Sequence, residues 1–140
     1  MSPSIVSCET EIDVPFFDVD LMEIVWHGHY AKYFEMARCD LLDKIDYGYM
    51  KMRTSGYSWP IIDLRIRYAK PLKFSQKIIV QAHLIEWQNR LKINYQIVDK
   101  ESGMRLARGY TTQVAVDMAS NEMCYESPAI LRQKLGLQKP

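Results

Sequence analysis

Near residue 60 the spacing of apolar side chains changes from about 3.6 residues to 2, the periods of a helix and of a strand with one buried face. Upstream, from about His29 to Asp46, Tyr30, Phe34, Leu41 and Ile45 fall in one narrow helical arc. Ala31, Tyr33, Ala37 and Leu42 widen that arc to about half the circumference, with Lys32, Glu35, Cys39, Asp43 and Asp46 opposite. So broad an apolar face suits a helix cradled by a sheet better than one resting on a surface. Arg38 falls inside the arc, so its guanidinium needs a partner, and Glu35 one turn earlier is the nearest acid. Downstream, "PIIDLRIRY" sets Ile62, Leu64, Ile66 and Tyr68 against Asp63, Arg65 and Arg67, a half-buried strand. "QKIIVQAHLIEW" and "RLKINYQIV" read as two long strands joined at Gln88-Asn89, and "MRLARGYTTQVAVD" as the last long strand.

The flanks complete the pattern. "CETEIDVPFF" reads as an edge-like strand limited by Pro15. "YGYMKMRTSGYSWP" is a short helical turn or loop, closed by Gly56 and Pro60. "SPAILRQKLG" is a terminal helix with Ser127 as N-cap, Pro128 in the first helical position and Gly136 as its stop. One strand, one long helix and four antiparallel strands make an α+β domain, with the sheet wrapped around the helix.

Residues 1–140 read as one domain, without repeat, linker or low-complexity run. Eighteen basic residues against 17 acidic ones leave a net charge of +1. That gives no general pull toward nucleic acid or an anionic membrane, so an anionic ligand has to be met by a local patch. No run approaches the ~20 apolar residues of a membrane-spanning helix. The stretch from Met1 to Asp13 lacks the basic start and apolar core of a secretory signal, and a cytoplasmic location is expected. Cys8, Cys39 and Cys124 are widely spaced, the pattern of reduced thiols, with Cys39 expected to be partly buried.

Chemistry concentrates in "FFDVDLMEIVWHGHYAKYFEMAR", Phe16 to Arg38. The first N–H groups of a helix are unpaired and carry partial positive charge, which suits them to a developing oxyanion. Asp20 precedes the helix at a distance that would let it face the first turn, and a carboxylate there can attack a carbonyl or activate water. Asp18 would share its strand face if the strand persists, and Glu23 adds a third acid; crowded carboxylates raise one another's pKa. The alternative is a helix cap or a solvated turn. His27, His29 and the acids also raise a metal site, but no pair has the i, i+4 spacing of helical zinc ligands, and no metal is expected. His83 lies in a strand and reads as structural.

The same stretch resembles the signature of hot-dog-fold thioesterases of the 4-hydroxybenzoyl-CoA thioesterase type, and within them the small acyl-CoA thioesterases associated with the Tol-Pal cluster. The family pattern is aspartate, any residue, aspartate, a Gly-containing turn, two apolar residues, an aromatic and Tyr or His, then "NY" and a helix ending "ERAR". Asp20 takes the catalytic aspartate's place, "IVWH" follows in register, Tyr30 takes the tyrosine and "FEMAR" the helix signature. "YAKPLKFSQKIIV", "ARGYTTQVAVD" and "ESPAIL" extend the similarity over about residues 8 to 136. It implies a hot-dog fold, five to six antiparallel strands around one long central helix. It implies Asp20 as nucleophile or general base on a thioester carbonyl, the His27 N–H polarising that carbonyl, and assistance by the His27 side chain. Glu23, Val25, Trp26 and Tyr30 would border the substrate. No cofactor is implied.

Three residues depart from the pattern: Glu23 stands for Gly, His29 for Asn and Gln76 for Asp. They point to a different acyl group or carrier, an acyl carrier protein among them, to weakened activity, or to a non-catalytic module that binds acyl carriers or a partner. Glu35 is the only acid for the helix-borne carboxylate of a sister subgroup, but its spacing does not fit. Arg65, Arg67 and Lys70, with Lys73, Arg90 and Lys92, form either a solvated basic face or a patch for the carrier's phosphates or for a carrier protein. The resemblance further implies a homodimer whose sheets join edge to edge, often doubled to a homotetramer, with the active site between subunits.

Overall fold

A computed structural model describes residues 5–137. The helical period forms α1, Tyr30–Lys44, which buries Tyr30, Tyr33, Phe34, Ala37, Leu41 and Leu42 on the anticipated face. Arg38 is 12% exposed and meets Glu35 across one turn at 3.6 Å. Cys39 lies on the opposite side and is exposed, not partly buried, because the helix turns that position to solvent.

The strands are β1 (Val6–Asp13), β2 (Tyr57–Ser58), β3 (Ile61–Tyr68), β4 (Lys77–Glu86), β5 (Leu91–Asp99), β6 (Arg105–Gln113), β7 (Val116–Asp117) and β8 (Glu122–Met123). The five long ones form one antiparallel sheet in the order β1-β4-β5-β6-β3, so β1 and β3 are its edges. The sheet cradles α1, which lies closest to β1 and β4. At the centre Phe34 stacks on Tyr95 with ring centroids 4.5 Å apart. Gly109 of β6 makes room for this contact: a Cβ there would meet the Phe34 ring at 2.6 Å and run into the Arg65 carbonyl of β3.

Three expectations change. The last strand is broken after Gln113, and its continuation, β7, pairs with β2 and β8 in a second, three-stranded sheet. The terminal helix α3, Ala129–Lys134, starts one residue late: Pro128 is its N-cap, and Ser127 makes no capping bond. Gly136 does end it, with φ +71°. The apolar face of β3 is half-buried only toward its end, where Ile66 packs against the core; Ile62 at 58% and Leu64 at 44% are exposed, with nothing among the described residues covering them. The short α2, Tyr49–Thr54, and the turn at Gly56 (φ +92°) stand as read. The N-terminal reading of Met1 to Ser4 lies outside the described residues.

Candidate active site

Asp18, Asp20 and Glu23 leave β1 in one loop, yet each meets different surroundings. The strand does not persist: Phe16–Asp18 is a 3-10 turn, so Asp18 and Asp20 do not share a strand face. Asp18 is 2% exposed. The Lys32 ammonium donates to its Oδ1 and the Tyr33 hydroxyl to its Oδ2, each at 2.6 Å, and His29 Nε2 lies 3.9 Å from Oδ1. Burial pushes the Asp18 carboxyl up, but the hydrogen bonds from Lys32 and Tyr33, with the charges of Lys32 and His29, outweigh it and hold the group below its ordinary range. The upward shift expected of crowded acids therefore does not occur at Asp18, whose partners are cations and a hydroxyl. Burial, and then the bond to Asp18, raises the Tyr33 phenol.

Asp20 is exposed and organises its own turn. Its N–H donates to the Ile24 carbonyl, and its carbonyl accepts from Glu23 N–H, both at 2.9 Å. Its Oδ1 accepts the Met22 N–H at 2.8 Å. Val19 and Val25 bridge below, so residues 19–25 form a tight hairpin. Glu23 adopts φ +62°, the left-handed backbone that glycine enters freely and that costs another residue about 1–2 kcal/mol. The chain thus keeps a glycine's conformation where the family pattern has glycine.

Neither aspartate caps α1, which has no side-chain cap at all. A 3-10 turn, His27–His29, precedes the helix. The His27 N–H opens that turn and has no partner within it, nor a backbone acceptor among the described residues. The turn is braced from two sides. The Tyr68 hydroxyl donates to the His27 carbonyl at 2.9 Å. The Trp26 ring lies 5.0 Å from that of His27 and 5.4 Å from that of His29, over Gly28, where a Cβ would strike the indole.

Beside the turn opens a cleft of about 260 Å³, with Val25, His27, Tyr30, Tyr68, Lys70 and Pro71 in its walls. The Tyr30 and Tyr68 rings meet edge to face at 4.6 Å. Of the residues singled out in the sequence, Val25, His27, Tyr30 and Lys70 come together here. Trp26 flanks the turn. Asp20 and Glu23 stand on the hairpin, outside the walls of this cleft, and the Asp20 carboxylate bonds amides of its own turn rather than those opening α1. Arg65 and Arg67 lie on the face of β3 opposite Tyr68, paired across to Tyr110 and Arg108. Tyr68 was missed as a site residue, because alternation marks it as core-facing; its one signal is that it closes the strand just before the "AKP" break. Among the described residues, no three His, Cys, Asp or Glu side chains gather so as to hold a metal ion.

A family model described as the thioesterase-like superfamily matches residues 14–134. The chain belongs to that superfamily. Its relatives include sll0410 of Synechocystis sp., which carries a provisional esterase name and is 29% identical over 113 residues, 80% of this chain and 68% of that one. The long-chain acyl-CoA thioesterase FadM of Escherichia coli is 23% identical over 115 residues, 81% of this chain and 86% of FadM. A crystal structure of a DHNA-CoA thioesterase from Staphylococcus aureus superposes with a TM-score of 0.77 at 27% identity, covering 85% of this chain and 80% of that one. The sheet around a central helix is accordingly the hot-dog fold. In this thioesterase-like chain, thioester hydrolysis is the chemistry against which the Asp20 hairpin and the His27 turn are to be read.

Proposed function

We propose that this thioesterase-like protein hydrolyses an acyl- or aryl-CoA thioester to the free acid and thiol, in the cytoplasm, as a homodimer or homotetramer of single-domain chains. The observation that carries the reading is the His27 N–H, without a backbone acceptor among the described residues, at the wall of an apolar cleft, on a turn braced by Tyr68 and Trp26. A thioester carbonyl lodged there would have its oxygen polarised by that amide as negative charge develops. Asp20 supplies the attack. Its Oδ1 is fixed by the Met22 amide, which orients Oδ2. Either Oδ2 adds to the carbonyl carbon and expels the thiolate, leaving an anhydride for water to open, or it takes a proton from water whose oxygen adds instead. A thiolate leaves without much acid help, so no metal or cofactor enters the scheme.

Oligomerisation supplies what the single chain leaves open. The hairpin carrying Asp20 stands outside its own chain's cleft, and Phe16, Phe17, Leu21 and Met22 around it are exposed. So are Ile62 and Leu64 of edge strand β3. A second copy laid along β3 would cover apolar surface and wall in the hairpin. Lys70 in the cleft wall, with Arg65 and Arg67 nearby in the chain, is assigned to the phosphates of CoA, or to an acyl carrier protein if that is the carrier. The glycine-like backbone of Glu23 removes the main reason to read the chain as a non-catalytic module.

Asp20→Asn tests the assignment, because asparagine keeps the Oδ1 acceptor for Met22. Turnover of CoA thioesters should fall by about 10³-fold or more with melting temperature unchanged. Undiminished turnover rejects Asp20. A single turnover in H₂¹⁸O then tests the covalent route: label incorporated into Asp20 identifies the nucleophile, because water activated by a general base labels only the product acid.

A further inference from the structure

Asp18 has no part in the chemistry just described, yet it is the most heavily engaged acid near the site. We infer that Asp18 is a positioning residue that fixes the Asp20 hairpin against the amide of His27, an inference that rests on the role proposed for Asp20.

Three ties converge on this residue. Its backbone carbonyl accepts the Trp26 N–H at 3.1 Å, immediately before the His27 turn. Its carboxylate accepts the Lys32 ammonium and the Tyr33 hydroxyl, immediately after that turn, in the first turn of α1. Asp20 follows it by two residues. One residue therefore holds the chain on both sides of the amide and sets the start of the hairpin that carries the attacking group. Lys32 adds a further hold, with its ammonium 5.8 Å from the centre of the Phe17 ring. A purely structural role would be served by burying the Tyr33 ring in the core; the two charge-assisted bonds add direction, which burial alone does not. Direction matters because an error of about 1 Å between reacting groups costs about 10²-fold in rate.

The test compares Asp18→Asn, Tyr33→Phe and Lys32→Met with the wild-type protein, using benzoyl-CoA and octanoyl-CoA as probes and Asp20→Asn as the control. With each variant shown by circular dichroism to be folded at the assay temperature, Asp18→Asn and Tyr33→Phe should lower kcat by about 10- to 100-fold and move KM by less than about 3-fold. Combining the two should cost little more than the worse single change, since both cut the same tie. Should Asp18→Asn fail to fold, Tyr33→Phe decides, because it keeps the buried ring. If the folded Tyr33→Phe and Lys32→Met variants keep kcat within about 2-fold while Asp20→Asn abolishes turnover, the positioning role is overturned and the reading of Asp20 stands. Losses that merely follow the unfolded fraction overturn it too. Full turnover by Asp20→Asn overturns both.

Discussion

Asp18 and Asp20 are the same amino acid two positions apart, and the fold gives them opposite surroundings. A 3-10 turn swings Asp18 under α1, where Lys32 and Tyr33 close on it, while Asp20 stays on an exposed hairpin. Since the folded Asp18 carboxyl lies below its unfolded value, its contribution to stability is complete above the unfolded pKa and is lost as pH falls through the folded one. At neutral pH, Asp18→Asn should therefore cost about 1–3 kcal/mol. Melting curves of wild type and variant should keep a constant gap from pH 7 to 5 and converge below about pH 4. A gap independent of pH throughout would show that the charge of Asp18 contributes nothing. The sequence marked these acids as candidates, but not which is buried, because "DVD" leaves open where β1 stops.

Among the elements, α1 was legible except at Cys39 and at its end before Ile45: a broad apolar arc predicts burial, and an arginine inside it predicts an acid one turn away. The Gly109 contact was not legible, since a glycine within a strand reads as a weak point in the pattern. In the fold it is the place where β6 passes between the Phe34 ring and the β3 backbone. Gly109→Ala should overpack that contact and lower stability by about 1–3 kcal/mol, measurable by urea unfolding. Because β3 carries Tyr68, whose hydroxyl braces the His27 turn, the same change should also raise KM or lower kcat; unaltered stability would remove Gly109 from this role. The break after Gln113 escaped prediction for a related reason. "VAVD" has strand composition, and only the presence of β2 as a new partner makes it change sheets.

For the molecule as a whole, the exposed apolar side chains of β3 set the expectation. Ile62 and Leu64 alternate as a core-facing set would, and no element among the described residues covers them. An uncovered, apolar edge strand invites pairing with another chain. Light scattering should find the wild type at an even multiple of its 16.4 kDa chain mass. Leu64→Arg should shift it toward a single chain and depress turnover while leaving the circular dichroism spectrum intact, since this side chain is already exposed in the isolated chain. An unchanged mass would place the subunit contact elsewhere.

The alternation of periods, the apolar arc and the acid-rich turn determined the α+β class, the central helix and the stretch where the site is proposed, because each is written in local spacing. Which acid is buried, which tyrosine braces the turn, how the last strand divides and which edge lies bare were decided by tertiary structure. These depend on residues far apart in the chain meeting across a curved sheet, and one-dimensional spacing carries no record of such meetings.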